Sequence, residues 1–347
     1  MRVFVGIDIG GSHFGAGIIN ENDDVLAISS TKWSNLELTP EVAVNKISKA
    51  VNLLLAEASN AVASSSARAG FTVVAIGIGC PGQAKDNVLV AASNLPLFKN
   101  VPLADMISRE MGHIPTVLVN DADAAICAEV FGHAETYQSM RNIAMVTLGT
   151  GIGFGLVLNN QLFQGSHGLL EGGHMVVATG PNSRLCDCGQ MGCVEAYSSA
   201  SNTARRLEEY DQADRRPSAS SLSTSSLTGY DVFARYAVND FNAVRVVEET
   251  AEHLAVFCLN VCRVVDPDAI VFGGGLAQAG DVLLDLVRKY LVQKTWTVLP
   301  THVQLLKGVG IGEAGVKGAA YAARQMCGTR NAPSPSPDSR ASNSVHS

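Results

Sequence analysis

Four residues of the types that bind metals lie close together in the middle of the chain: His174, Cys186, Cys188 and Cys193. One imidazole and three thiolates form the closed tetrahedral set that zinc prefers in structural sites. Two glycines inside the cysteine segment would provide the sharp turns that let the sulfur atoms converge. Because such a set leaves no open coordination position, the sequence predicts structural Zn²⁺. The alternative is a group of free thiols that are neighbours by chance.

A glycine-rich turn occurs twice in the chain, each time between two apolar runs. Glycine lets backbone N–H groups approach a phosphate closely, so each turn could bind an anion, although an ordinary hairpin needs glycine as well. Two such turns at corresponding positions predict that they hold one polyphosphate, with Asp8 able to bind Mg²⁺. The residues concerned are Asp8, Gly10, Gly11 and Ser12 in the first turn and Gly149, Thr150, Gly151 and Gly153 in the second.

A third glycine cluster, Gly273-Gly274-Gly275, follows the apolar run 269–272 and precedes the helical pattern Val282–Leu291. Three glycines at a helix N-terminus leave room for a flat ligand such as adenine or ribose, and the helix end favours a phosphate. Close packing of helix and strand explains the glycines equally well.

Asn120 and Asp121 follow the short apolar strand 117–119. A carboxylate at the end of a buried strand can accept a proton from a substrate hydroxyl, while Asn120 binds the neighbouring hydroxyls. The alternative is that Asp121 caps the helix predicted from Ala122 onward. Further polar residues suit a polyol, and these are Asn94, Glu171, His174 and Glu195.

The unit of strand, glycine turn and strand starts near residue 3 and again near residue 143. This duplication, together with helical spacing over Pro40–Ala58 and Glu248–Val265, predicts an α/β protein with two similar halves. The Ser-rich segment 211–228 is predicted to be a loop insertion, and the Ser- and Pro-rich residues 328–347 a disordered tail.

The composition narrows the class of protein. The chain has 347 residues, enough for two domains, and a formal net charge of −7. An acidic chain without clustered lysine and arginine argues against a nucleic-acid partner. Apolar runs are too short to span a membrane, and the N-terminus has the pattern of a strand instead of a signal peptide. We therefore expect a cytoplasmic protein with reduced thiols and no membrane partner.

Taken together, these motifs resemble the ROK kinases (repressors, open reading frames and kinases), especially the bacterial-type glucokinases. The resemblance extends from Val3 to about Arg324, with Ser12 in place of the usual threonine and one residue fewer before Glu171. The segments that carry it are DIGGSH at 8–13, NLPLFKNVPL at 94–103, VNDADAA at 119–125, LGTGIGFG at 148–155, EGGH at 171–174, CDCGQMGCVEAYSS at 186–199, DPDAIVFGGGL at 266–276 and GEAGVKGAA at 312–320.

The resemblance implies a two-lobed actin-like ATPase (RNase H-like) fold, with mixed sheets flanked by helices and an active site in the cleft. One lobe would hold residues 1–121 and a returning helix at 312–327, and the other residues 122–311 with the zinc loop. It implies that Asp121 is the catalytic base and that Asn94, Asn120, Glu171, His174 and Glu195 bind the sugar. His174 would bind zinc through one nitrogen and sugar through the other. A homodimer or homotetramer is also implied.

The expected function is ATP-dependent phosphorylation of a hexose, with glucose converted to glucose 6-phosphate. Kinases for N-acetylmannosamine, allose or fructose share most of these residues. A sugar-sensing repressor is the alternative from another class. A first strand that begins at residue 3 leaves no room before it for the winged-helix domain of such repressors, so we expect a kinase.

Overall fold

The computed structural model describes residues 1–34, 38–65, 70–92, 94–214, 227–279, 281–310 and 313–329. The described residues before Asp121 form one five-stranded sheet, a small three-stranded sheet and two helices. The central strands of the larger sheet are nearly continuous runs of buried apolar residues, as expected when both faces of a sheet are covered. The elements are β1 (Arg2–Ile9), β2 (His13–Asn20), β3 (Val25–Lys32), α1 (Pro40–Ser65), β4 (Thr72–Cys80), β5 (Gln83–Lys85), β6 (Val88–Ala91), β7 (Lys99–Val101), α2 (Leu103–Glu110) and β8 (Thr116–Asn120).

The second part forms another five-stranded sheet with helices on both of its faces. Short 3₁₀ helices occupy Gly172–His174 and Leu276–Ala279. The other elements are α3 (Asp121–Gly132), α4 (Ala134–Tyr137), β9 (Ile143–Leu148), β10 (Ile152–Leu158), β11 (Gln161–Leu162), α5 (Glu195–Ser198), α6 (Ala200–Asp214), α7 (Gly229–Ala237), α8 (Phe241–Val265), β12 (Ala269–Gly273), α9 (Asp281–Lys294), β13 (Gln304–Lys307) and α10 (Ala314–Thr329).

The two large sheets have the same topology. Their strand orders are β3-β2-β1-β4-β8 and β11-β10-β9-β12-β13. In each, the first strand pairs antiparallel with the second and parallel with the fourth, and the fifth strand joins parallel at the edge. The repeat confirms the predicted α/β class with mixed sheets and places the two glycine turns at equivalent hairpins.

Helices α3 and α10 lie between the two sheets. Helix α10 packs on β1 and β4 of the first sheet and against α3, which in turn packs on β9 and β10 of the second. Glycines make this close approach possible: a Cβ on Gly318 would lie 1.8 Å from the Ala124 carbonyl oxygen, and one on Gly77 1.7 Å from that of Ala319. A larger residue at Gly318 would force α10 away from α3, and one at Gly77 would force α10 away from β4.

Several predicted boundaries need correction. Helix α6 continues to Asp214, so the first four residues of the predicted loop 211–228 are helical, while residues 215–226 lie outside the described part. Thr228 ends that segment as the N-cap of α7, in a capping box with Asp231. Helix α10 continues through residues 328 and 329, which were assigned to the tail, and residues 330–347 lie outside the described part. The glycines 273–275 lead into a 3₁₀ helix before α9 begins.

Within the described residues, no helix combines the length and the apolar character that a membrane crossing requires.

Candidate active site

Asp121 is the first residue of α3, directly after the end of β8. The N-cap of this helix is Asn120, whose Oδ1 accepts a hydrogen bond from the Asp123 backbone N–H at 2.6 Å. The interpretation of Asp121 as the capping residue is therefore wrong, and its side chain is not used to cap the helix. The Asn120 amide group keeps its N–H donors for another partner.

Four carboxyl groups from separate parts of the chain lie near one another at this point. Part of the Asp121 side chain is accessible, yet desolvation raises its pKa, while the Ala122 N–H and its own N–H lower it. Burial raises the pKa of Asp8 most, His13 lowers it and Asp121 raises it. Burial also raises the pKa of Glu171, His174 lowers it, and Asp121 and Glu195 raise it. The four predicted site residues Asp8, Asp121, Glu171 and Glu195 thus form one electrostatic cluster.

The first glycine turn lies between β1 and β2, next to the Asp8 carboxylate. The turn is closed by a hydrogen bond from the Gly10 N–H to the His13 carbonyl oxygen at 2.9 Å. Trp33 makes two hydrogen bonds to this turn. Its indole Nε1–H donates to the Gly10 carbonyl oxygen at 2.9 Å, and its backbone N–H donates to the Ser12 carbonyl oxygen at 2.9 Å. The turn is therefore anchored at two carbonyl groups, and Gly11 lies between them.

The second glycine turn, at the equivalent hairpin between β9 and β10, is anchored by Glu195. The Glu195 Oε2 atom accepts a hydrogen bond from the Ile152 N–H at 2.7 Å, and a Cβ on Gly151 would lie 2.5 Å from the same oxygen. Gly149 closes the turn by donating to the Gly151 carbonyl oxygen at 3.0 Å, and Thr150 is exposed. Glu195 is therefore part of the turn as well as a predicted sugar ligand.

Two of the predicted nucleotide-binding glycines have a packing role. A Cβ on Gly153 would lie 2.4 Å from Thr147 Oγ1, and one on Gly274, whose φ is +85°, would lie 2.6 Å from the Leu148 carbonyl oxygen. Gly275, in contrast, has open space around it and borders a cavity of ≈ 600 Å³. The cavity lining is mostly apolar and consists of Ala200, Gly229, Tyr230, Phe233, Ala234, Gly275, Leu276 and Gln278.

The predicted metal ligands converge. One ligand atom each from His174, Cys186, Cys188 and Cys193 lies within 4.8 Å of the others. The Cys188 and Cys193 sulfur atoms are 3.7 Å apart, and Cys186 Sγ is 3.7 Å from His174 Nδ1. Zn–S bonds of about 2.3 Å in a tetrahedron place two sulfurs about 3.8 Å apart, so the donor set fits zinc in both chemistry and spacing. Because Nδ1 is the nitrogen nearer the thiol of Cys186, Nε2 is the one available to another ligand.

Comparison with known proteins decides the family. The sequence matches the ROK family over residues 4–326. The chain belongs to the ROK family. It is 31% identical over 340 residues to a glucokinase of Streptomyces coelicolor, with 94% of this chain and 98% of that protein covered. It is 28% identical over 338 residues to an N-acetyl-D-glucosamine kinase of Salmonella gallinarum, covering 92% and 98% of the two chains.

A solved structure with the same fold is the ROK family glucokinase from Streptomyces griseus in complex with glucose and AMPPNP. It is 29% identical, covers 93% of this chain and 99% of that one, and superposes with a TM-score of 0.66. The comparison supports the two-lobed actin-like ATPase fold that the ROK resemblance implied.

The remaining predicted sugar ligands of this ROK protein, Glu171, His174 and Asn94, lie in or next to loops. Glu171 is exposed and precedes the 3₁₀ helix that ends at His174. Gly172 and Gly173 lie flush on β10, because a Cβ on either would collide with Phe154 or the Ile152 carbonyl oxygen. This close packing fixes Glu171 and His174 near the second glycine turn. Asn94 is exposed in the turn between β6 and β7, and its part in sugar binding stays a prediction.

Two residues beside the site, Trp33 and Asp123, were not expected from the sequence, and Glu195 has a second role besides the expected one. Trp33 and Glu195 anchor the two glycine turns, and Asp123 is a buried carboxyl group in the first turn of α3. Trp33 and Asp123 act through partners 23 and 41 residues away in sequence, and no local pattern signals such contacts. For Asp123 the only available signal was a second acidic residue in the first turn of a helix, which is common there for its favourable interaction with the helix dipole.

Proposed function

We propose that the protein transfers the γ-phosphoryl group of ATP to a hydroxyl group of a hexose, with glucose as the acceptor. The observation that carries the proposal is the carboxylate cluster, in which Asp121 stands close enough to Asp8 and Glu171 to raise the pKa of both. Phosphoryl transfer needs a positioned acceptor and neutralised phosphate charge, and this cluster lies beside two anchored glycine turns. Membership of a family with glucokinases supports the same reaction.

Asp121 is the proposed catalytic base. The raised pKa of Asp121 makes its carboxylate a better proton acceptor. Its place as the first residue of α3 keeps the side chain accessible to a substrate. It would orient the attacking hydroxyl and take its proton as the bond to phosphorus forms. The amide of Asn120, the carboxylate of Glu171 and the free ring nitrogen of His174 would hold the other hydroxyl groups, which fixes the acceptor in a single orientation.

The nucleotide would lie between the two glycine turns. Backbone N–H groups of the turns at Gly10–Ser12 and Gly149–Gly151 would bind the phosphates. The cavity beside Gly275, with the exposed Tyr230 ring at its edge, would accept adenine. Asp8 would hold Mg²⁺, which when bound neutralises phosphate charge. In the first turn, the hydroxyl group of Ser12 would replace the threonine usual in the family.

We infer a structural Zn²⁺ held by His174 and the three cysteines. The ion would connect the segment 186–193 to the 3₁₀ helix at Gly172–His174 and so stiffen the sugar side of the site. We propose a cytoplasmic location, because cysteine ligands must stay reduced to bind the metal. A homodimer or homotetramer is proposed on the family resemblance alone.

A coupled assay of ADP formation with a panel of sugars tests the proposal. Glucose, N-acetylglucosamine, N-acetylmannosamine, fructose and allose are compared at equal ATP, with the Asp121→Asn variant as the background control. We expect kcat/KM for glucose to exceed that of every other sugar by about tenfold. This is the discrimination that a binding pocket achieves between sugars that differ by one small substituent. Preference for an N-acetylated sugar would overturn glucose as the acceptor. No sugar-dependent ADP formation with any member of the panel would overturn the kinase assignment.

A further inference from the structure

Asp123 is a buried carboxyl group that the proposed mechanism does not use. It lies in the first turn of α3, two residues after Asp121, and is only 5% exposed. Its Oδ2 atom accepts a hydrogen bond from Gln164 Nε2 at 3.0 Å, across 41 residues of sequence. The bond therefore joins the helix that carries Asp121 to the segment that follows β11.

That segment, residues 163–171, is called here the sugar loop because it ends at Glu171. On its far side Gly168 contacts β5: its carbonyl oxygen accepts from Gln83 Nε2 at 3.4 Å, and a Cβ on it would lie 2.5 Å from the Ala84 carbonyl oxygen. A cavity of ≈ 160 Å³ lies between residues 164–166 of the loop and β5, and Leu169 is 68% exposed. Leu170 packs partly buried against the core of the second sheet, and Gly172 and Gly173 hold the end of the loop on β10. The Asp123–Gln164 hydrogen bond adds a polar contact at the start of the loop.

Two other carboxyl groups, those of Glu171 and Asp121, lie near Asp123 and raise its pKa. Its pKa is raised to about 7, mainly by burial. The hydrogen bond from Gln164 lowers the pKa, Glu171 raises it, the Asn120 N–H lowers it and Asp121 raises it. The thiols of Cys80 and Cys127 also face it and stay neutral. A partly protonated carboxyl group can accept the Gln164 bond without adding a full third charge beside Asp121 and Glu171.

We propose that the Asp123–Gln164 pair is a positioning device that fixes the sugar loop, and with it Glu171, relative to Asp121. The inference rests on the proposed kinase function for its kinetic consequence, but the contact itself exists without substrate. Loss of the pair leaves α3 capped by Asn120 and the glycine turns anchored as before. It changes the distance between a sugar-binding group and the catalytic group, so the affinity for sugar suffers while ATP binding does not.

The test compares Gln164→Leu with Gln161→Leu, which makes the same change at an exposed position of β11 three residues earlier. Steady-state kinetics should show a rise of roughly tenfold or more in KM for glucose in Gln164→Leu, because losing a hydrogen bond between a sugar hydroxyl and the Glu171 carboxylate weakens binding by about that factor. KM for ATP should stay within about twofold. Asp123→Asn keeps an acceptor for the Gln164 amide, so its KM for glucose should rise by less than about threefold.

Hydrogen–deuterium exchange without substrate separates this proposal from the kinase assignment. Exchange of the backbone amides of residues 165–171 should be at least about tenfold faster in Gln164→Leu than in wild type and unchanged in Gln161→Leu. Equal exchange in all three proteins would overturn the positioning role, whatever the enzyme phosphorylates. An equal rise in KM for glucose and for ATP would overturn it as well, since it would indicate a general structural defect. Faster exchange in a protein that phosphorylates no sugar would overturn the kinase assignment alone.

Discussion

Replacing Asp123 by asparagine should change how the stability of the protein depends on pH. The folded protein holds the proton of this buried carboxyl group up to a pKa of about 7, whereas the unfolded chain releases it near the ordinary value of 3.8. Between these two values the folded state binds more protons than the unfolded state. The free energy of unfolding therefore falls as pH rises through this window and levels off above about 7.

The size of the effect follows from the same shift. A rise from 3.8 to about 7 is about three pH units, and each unit corresponds to about 1.4 kcal/mol, so the full effect is on the order of 4 kcal/mol. Asparagine cannot ionise, so Asp123→Asn lacks this contribution. Relative to wild type, the variant should gain about 1.4 kcal/mol of stability for each unit of pH between 5 and 7 and nothing more above about 7.5.

Urea denaturation followed by circular dichroism at half-unit intervals from pH 5 to pH 8.5 measures this difference. Asp105→Asn is the matched control, because Asp105 is also in the first turn of a helix but exposed. Its difference from wild type should vary by less than about 0.5 kcal/mol over the range. A pH-independent difference for Asp123→Asn would refute the reasoning, and so would a loss of relative stability with rising pH, which is the behaviour of a carboxylate whose pKa is lowered by folding.

Three further predictions concern the site itself. Asp121→Asn should leave the fold and the KM for glucose nearly intact and lower kcat by roughly 10² to 10⁴, the span for a positioned base; retention of more than a tenth of wild-type turnover would contradict this role. Trp33→Phe keeps the ring contact with Phe14 but removes the bond to Gly10, so KM for ATP should rise about fivefold in kinetic assays, while the exposed Trp296→Phe has no effect. Elemental analysis of protein purified without added metal should find about one zinc per chain, lost in Cys193→Ser and kept in Cys258→Ser, and fully active zinc-free protein would rule out the metal.

The sequence was sufficient to predict features that depend on local chemistry. The three thiols of Cys186, Cys188 and Cys193 lie within eight residues of one another, so a local turn can bring them together. The structure shows His174 beside them. The glycine turns were equally predictable, because a turn between two apolar strands needs the backbone freedom of glycine. The duplicated hairpin unit then predicted the two sheets of equal topology.

Features that depend on distant contacts could be decided only by the tertiary structure. Whether Asn120 or Asp121 caps α3 depends on side-chain geometry at one peptide unit, which a sequence pattern does not specify. Helix α10 continues past the expected boundary at residue 327 in a segment whose composition had favoured disorder.

The anchors of the site show the same limit most clearly. Trp33 reaches Gly10, Glu195 reaches Ile152 and Gln164 reaches Asp123 across 23, 43 and 41 residues. The sequence determined which groups could perform phosphoryl transfer, because their chemistry belongs to the residues themselves. Only the folded structure decided what holds them in place, because those hydrogen bonds form between residues that become neighbours when the sheets and α3 pack together.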